Sequence, residues 1–175
     1  AACETVDDTL LAACETVAID GDVTGDLLAF GRHVTVRGNV GGDLVVGGET
    51  VTIEGRVGGN VIGGARALAL LGPGIVGNVY SGGRDVDIGR STTVGGNAIA
   101  FGDNVRVDGR VSRDLRGFGS TITIAGSVDG DVDGFAEEVI LLASARVGGD
   151  VRGRVEAAGN LRVAPGAIVG GSTEE

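Results

Sequence analysis

The feature that most constrains this chain is a repeat of about seventeen residues that runs through most of its 175 residues. Three segments follow it without a gap: LLAFGRHVTVRGNVGGD (27–43), LVVGGETVTIEGRVGGN (44–60) and LRGFGSTITIAGSVDGD (115–131). The whole pattern forms nine lines, some longer by one or more residues, which begin at Leu10, Leu27, Leu44, Val61, Val79, Ala98, Leu115, Val132 and Val151. A repeat this short predicts a solenoid, in which each repeat packs only on its neighbours.

Apolar residues recur at positions 8 and 10 of these lines. Position 8 is occupied by Val17, Val34, Val51, Leu68, Val86, Val105, Ile122 and Val139. Position 10 is occupied by Ile19, Val36, Ile53, Leu70, Ile88, Val107, Ile124 and Leu141. A spacing of two is the periodicity of a β-strand, so the residue between them, at position 9, should point outward.

A third apolar column follows four residues later, beside glycines that permit tight turns. It contains Val23, Val40, Val57, Val111 and Val128. We therefore predict an all-β chain that forms a single-stranded parallel β-helix of about nine coils, each with three short strands. At about 4.8 Å per coil, the rod would be roughly 43 Å long.

The chain is expected to form one domain. Residues 10–172 would be the β-helix, 1–9 a partial coil beneath it, and 173–175 an acidic tail. No apolar run is long enough to span a bilayer. Because the sequence does not begin with Met, we expect an upstream segment, such as a signal peptide or membrane segment, to have been removed.

Charge argues against one class of partner. The net charge is −10, from 24 acidic and 14 basic residues, and every basic residue is Arg. A chain this acidic is not expected to bind nucleic acid through a basic face.

An acid or amide closes most lines, and this column is the most regular polar feature. It contains Asp26, Asp43, Asn60, Asn78, Asn97, Asp114, Asp131 and Asp150. A calcium ladder is one interpretation, but calcium-binding β-rolls use a nine-residue repeat. We predict instead that each side chain bonds the backbone of its own turn and that the side chains stack along the axis, with Asn mixed among Asp to avoid like charge at every step.

All four phenylalanines occupy position 4, as Phe30, Phe101, Phe118 and Phe135, and the last three belong to successive lines. They would either pack at a corner or form an exposed aromatic stripe that receives a partner or a membrane. Ile140 and Leu142 are expected to form a second apolar patch near the C-terminal end. The candidate surface contacts are Phe101, Phe118, Phe135, Ile140 and Leu142.

Catalytic chemistry is not indicated. His33 is the only histidine and is expected to face solvent, so neither a His-based triad nor a His-rich metal site can form. Cys3 and Cys14 occur in identical AACETV contexts and would lie on adjacent rungs, either as two small buried thiols or as a disulfide. We predict a non-enzymatic protein without a cofactor or metal ion.

The recurring VxIxGxVxGDL pattern, as in VTIEGRVGGNV (51–61) and VRVDGRVSRDL (105–115), resembles that of the bactofilins, polymer-forming β-helical cytoskeletal proteins. The stretch at 145–171 is similar to the end of the β-helical part in a membrane-attached branch of such proteins. The resemblance implies a right-handed β-helix and nucleotide-free, end-to-end assembly into non-polar filaments near the membrane. It also implies transmembrane helices beyond residue 175.

The ends of the rod support the same hypothesis, since the terminal coils of a solenoid have unpaired strand edges unless a cap covers them. The candidate polymerisation contacts are Val6, Val17, Ile19, Ile168 and Val169. We expect a structural protein whose partners are further copies of itself, and membrane or envelope components. It would be associated with the cell envelope or with the cytoplasmic face of the membrane. The alternative is a monomeric, surface-displayed binding or adhesion module.

Overall fold

The computed structural model describes residues 8–155 and 160–175, and all regular secondary structure in these ranges is β-strand. The first strands are β1 (Leu10–Ala13), β2 (Thr16–Ile19), β3 (Leu27–Val36), β4 (Leu44–Ile53), β5 (Val61–Leu70), β6 (Val79–Ile88), β7 (Thr93–Val94) and β8 (Ala98–Val107). The others are β9 (Arg110–Val111), β10 (Leu115–Ile124), β11 (Ser127–Val128), β12 (Val132–Leu141), β13 (Arg146–Val147), β14 (Val151–Val155), β15 (Leu161–Val163), β16 (Ile168–Val169) and β17 (Thr173–Glu174).

The strands stack in parallel, with each residue opposite the residue at the same position of the next repeat. Leu10 pairs with Leu27, Leu27 with Leu44, and this register continues coil by coil to Val151. The predicted repeat, the all-β class and the parallel β-solenoid of about nine coils are confirmed. We number the coils 1 to 9 from the nine line starts given above.

Each coil has three faces, which coil 2 illustrates. The first face comprises positions 1–4 (27–30), the second positions 7–10 (33–36) and the third positions 13–14 (39–40). Along β3 the side chains at positions 1 and 3 are buried, and those at positions 8 and 10 are buried again. The buried positions change from odd to even because the chain turns a corner between them. One ten-residue strand therefore covers two faces, where we predicted two short strands.

The third face has shorter runs of backbone pairing between coils than the first two faces. Single parallel bridges join Val23 to Val40, Val57, Ile75 and then Val94 in successive coils. From coil 5 onward, short strands β7, β9, β11, β13 and β16 take their place.

The core lies inside these faces as continuous apolar ladders, as the sequence columns predicted. The largest side chains that are less than 2% exposed include Leu27, Leu44, Ile53, Leu68, Leu70, Ile88, Leu115, Ile122, Ile124 and Leu141. Position 3 is small because large residues across the core fill its space: a Cβ atom on Gly117 would lie 2.7 Å from Cδ1 of Ile122. The corner after the second face also needs glycine, because a Cβ atom on Gly55 would collide with the carbonyl oxygen of Gly38.

Candidate interaction surfaces

The C-terminal end exposes part of the core. β15 pairs with β12 and β16 pairs with β13, but no described strand lies beyond them. Val163 continues the inward position 10 column, yet it is 41% exposed because no described coil covers it. Ile168 points outward and is 54% exposed. In the described coils, it is the only large apolar side chain in a position 13 column that otherwise holds Asp, Asn, Arg, Gly, Thr or Ser.

The acidic tail covers a small part of this end. Thr173 and Glu174 form β17, which pairs with the start of β14. The backbone N–H of Leu161, in the last described coil, donates a hydrogen bond of 3.0 Å to Oε1 of Glu175. Val169 and Leu161 are partly buried against the core. The C-terminal end of the rod is thus an apolar surface on which the Glu175 carboxylate covers one backbone N–H group, that of Leu161.

At the N-terminal end, β1 and β2 pair only with β3 among the described strands. Val17 is buried, Ile19 packs half-buried against the core, and Leu11 is 67% exposed. Val6 and Cys3 lie outside the described residues. Cys14 is a free, exposed cysteine, so the prediction of a buried thiol is wrong for it. His33 is exposed, as predicted.

The Asp and Asn column forms a continuous ladder between coils. Oδ1 of Asp43 accepts the backbone N–H of Asn60 at 2.6 Å and its Nδ2 at 3.1 Å. Oδ1 of Asn60 accepts the backbone N–H of Asn78 at 2.9 Å, and further links of this kind continue to Ser172. The predicted stacking is confirmed, but each side chain bonds the next coil and not its own turn. This occurs because equivalent residues lie directly above one another.

Three aspartates follow one another at the C-terminal end of this ladder, so the sequence does not avoid like charge there. Arg152 compensates by lying 2.6 Å from Asp150 and 3.4 Å from Asp131. The backbone N–H and hydroxyl of Ser172, and then Arg152, lower the pKa of Asp150. Among the described residues, no cluster of three or more His, Cys, Asp and Glu side chains is arranged to hold a metal ion.

Removing a ladder side chain should weaken the stacking of two coils. We expect Asn60→Ala to lower the free energy of unfolding by about 1–2 kcal/mol, because the N–H of Asn78 loses its acceptor in a partly buried site. Urea denaturation followed by circular dichroism measures the change. Asn104→Ala is the matched control. That exposed amide donates to the Asp85 side chain, so its loss should lower the free energy of unfolding by less than about 0.5 kcal/mol. Equal losses in both variants would show that the ladder contributes nothing particular.

The phenylalanine column is an aromatic stack along one edge of the first face. The rings of Phe101 and Phe118 lie 4.7 Å apart at 11°, and those of Phe118 and Phe135 lie 4.8 Å apart at 5°. The guanidinium carbon of Arg154 lies 4.9 Å from the centre of the Phe135 ring. Phe101 is 51% exposed and the other two rings are half-buried. The stack therefore packs against itself and also presents ring surface to solvent.

The second predicted patch is less exposed than the first. Ile140 occupies the outward position 9 of the second face, next to Thr123 and Arg162 in the adjoining coils. Both Ile140 and Leu142 are half-buried. They lie two residues apart on the same strand end and its corner, separated by the buried Leu141.

No protein-family model, curated protein or solved structure matches this chain. The bactofilin resemblance therefore stays a prediction. In residues 8–155 and 160–175, no helix is long and apolar enough to cross a membrane.

Sequence reasoning found only the phenylalanines of a larger apolar area on the first face. Of the nine large apolar side chains that are exposed among the described residues, five lie on this face. They are Leu11, Phe30, Ile62, Tyr80 and Phe101. A column read at position 2, which alternates with the core positions and faces outward, would have found Leu11, Ile62 and Tyr80.

The second face has a shallow depression of about 320 Å³ in coils 3 to 6. Ala67 and Ala69 form part of its floor because their side chains are short. Asp87 and Arg106 lie at one side, and Oδ1 of Asp87 is buried without a hydrogen-bond partner. Oδ1 of Asp108 lies 2.9 Å from Nε of Arg106 without a hydrogen bond, whereas its Oδ2 accepts a hydrogen bond of 3.0 Å from the Arg106 guanidinium group.

Asp87 should make the stability of the protein depend on pH. Burial, and then the Asp108 carboxylate, raise the pKa of Asp87 against the opposing effect of Arg106. A folded-state pKa above the unfolded value means that the charged form costs free energy when folded. This cost is present above the folded-state pKa and disappears as pH falls below the unfolded value.

We therefore expect Asp87→Asn to stabilise the protein at neutral pH by roughly 0.5 kcal/mol, after discounting for solvent screening at a half-exposed site. The gain should vanish below about pH 4. Urea denaturation at several pH values measures it. Asp103→Asn, at an exposed carboxylate, controls for the loss of one negative charge. A neutral-pH loss of stability in Asp87→Asn would contradict the prediction.

Proposed function

We propose that this protein is a non-enzymatic structural protein that assembles end to end into filaments. The observation that carries the proposal is the C-terminal end, where Val163 and Ile168 are exposed beside strand edges that no described strand pairs. An exposed strand edge is a template for another strand, and apolar surface beside it favours burial.

The repeat itself supports stacking between copies. Each coil already binds its neighbour through parallel backbone pairing, apolar ladders and the Asp and Asn column. A second rod placed on a terminal coil could extend all three interactions, since they are the same in every coil. The described residues contain no helix that would cover either end.

The test is negative-stain electron microscopy of the purified protein, with sedimentation velocity over a wide concentration range. We expect filaments whose length increases with concentration and which form without nucleotide, calcium or zinc. Strictly monomeric particles at high concentration would defeat the proposal.

The aromatic stack favours a second candidate, a binding or adhesion module that works as a monomer. Phe101, Phe118 and Phe135 form a flat, partly exposed ring surface beside Arg154. Replacing Phe101 by Ala would then abolish binding to a surface or cell extract while leaving the protein monomeric. Association with the cell envelope is proposed only from the family resemblance.

A further inference from the structure

The first face carries an apolar ridge along its outward position 2 column. The ridge consists of Leu11, Leu28, Val45, Ile62, Tyr80 and Ile99, which are paired in register in coils 1 to 6. Leu11, Ile62 and Tyr80 are 67%, 48% and 44% exposed. From coil 7 the same column becomes charged, with Arg116 and Arg152 on either side of Asp133. The apolar character is therefore confined to one part of the face.

A glycine trough runs beside the ridge at position 4. Position 4 is glycine in coils 3 to 5, as Gly47, Gly64 and Gly82, and Phe30 and Phe101 close the two ends. The Phe30 ring already covers Gly47, where a Cβ atom would lie 3.0 Å from its Cδ1, so the open floor is Gly64 and Gly82. A Cβ atom on Gly64 or Gly82 would meet no atom within 4 Å, and neither residue has a positive φ. The fold therefore does not require glycine at these two positions. Gly64 and Gly82 instead leave an open space above the exposed first face.

We propose that the ridge of one copy packs into the trough of a second copy, with the two rods side by side and parallel. This proposal rests on the proposed filament function, since it describes how filaments would pair. A two-fold axis parallel to the rods, placed over position 3, sets position 2 of each copy against position 4 of the other at the same coil. Ile62 and Tyr80 then lie over Gly64 and Gly82 of the second copy, and Val45 lies against the Phe30 ring that covers Gly47.

Shape and polarity support a second copy as the occupant. Ile62 and Tyr80 meet open glycines in two successive coils. Leu28 and Ile99 meet the apolar rings at position 4 of coils 2 and 6. Both copies make the same contacts, as a two-fold interface requires. The same axis brings Arg66 and Arg84, which pair with Glu49 and Asp103 of their own copy, towards the column that contains Asn60 and Asn78 in the second copy. Positions 1–4 of coils 1 to 6 carry no charged residue, so this face has nothing to attract an anionic membrane surface and nothing to repel a second copy.

The contact area between two single rods is small, so lateral pairing depends on filaments that repeat the contact. Six coils at about 4.8 Å and four residues at about 3.3 Å give roughly 380 Å² per copy, or about 750 Å² in total. Stable complexes usually bury about 1,200–2,000 Å². One pair of rods would thus bind weakly, whereas two filaments would repeat the contact at every subunit. A two-fold axis along the rod leaves both ends of each copy free, so lateral pairing and end-to-end assembly are compatible.

Disulfide cross-linking tests the register directly. In a background with Cys3 and Cys14 replaced by Ser, Ile62→Cys and Gly64→Cys are made in separate preparations and mixed at high concentration. We expect about tenfold more disulfide-linked dimer in this mixture than in a mixture of Ile62→Cys with Thr35→Cys, because the effective concentration of the paired thiols is high. Thr35 lies on the second face and is the matched control. Equal yields in both mixtures would overturn the proposal.

The cross-linking is repeated with Ile168→Lys added, so that lateral pairing is measured without end-to-end assembly; we expect a lower yield with the same preference for Gly64→Cys over Thr35→Cys. Microscopy of Gly64→Arg separates the two interfaces. We expect single filaments of normal length where the unmodified protein forms pairs, because the arginine fills an open space in the trough without disturbing the fold. Unchanged paired filaments would contradict the lateral interface, as would binding of the face to phosphatidylcholine vesicles in place of a second copy. Absence of all filaments, with specific cross-linking retained, would defeat only the proposed function.

Discussion

Ile53→Asp is expected to unfold the rod. Ile53 is 1% exposed and lies in the inward column between Val36 and Leu70 of the adjoining coils. An unpaired carboxylate there loses its hydration and also removes apolar contacts above and below, at a cost on the order of 5 kcal/mol or more. Since domains are usually stable by only about 5–15 kcal/mol, this loss is comparable with the whole stability. Circular dichroism during thermal and urea denaturation measures it.

The adjacent Thr52→Asp is the matched control. Thr52 is half-buried at the outward position 9, opposite Thr35 and Ala69. A carboxylate there keeps its access to water, so the change should cost about 1 kcal/mol or less, chiefly through strand propensity. Similar losses in both variants would mean that the inward and outward positions have been exchanged.

A positive charge at the C-terminal end should abolish or greatly shorten filaments. We expect this of Ile168→Lys and of Val163→Lys, because burying an ammonium group between two rods without a partner costs several kcal/mol at each junction. Both side chains are already more than two-fifths exposed, so each variant should remain folded as a single rod. Val17→Pro tests the other end, where it removes a backbone donor from β2. Electron microscopy and sedimentation velocity measure filament length.

Val76→Lys provides the control for the C-terminal variants. Val76 is 53% exposed, almost the same as Ile168 at 54%, but it lies on the side of coil 4. The same substitution away from the ends should leave filament length unchanged. Shortening by Val76→Lys to the same degree would show that the effect comes from added charge and not from the end of the rod. Arg106→Glu, on the second face and away from both proposed interfaces, should leave filament length and pairing unchanged.

The sequence by itself determined the solenoid, its coil boundaries and the direction of most core side chains. Leu27, Leu44 and Val61 could be placed above one another because a repeat of constant length forces equivalent residues into the same environment. The spacing of Val34 and Val36 similarly predicted two inward side chains, which are buried.

Only the tertiary structure decided the interactions between coils. The side chain of Asn60 could reach its own turn or the next coil, and only the alignment of the coils selects the N–H of Asn78. The exposure of Cys14 could likewise not be predicted from the sequence, because coils 2 to 8 have only glycine or alanine at its position 5. The ridge and trough on the first face depend on which outward positions lie side by side after the chain turns its corner. A periodic sequence specifies which residues share a column, whereas contacts between columns depend on the angles and distances between faces.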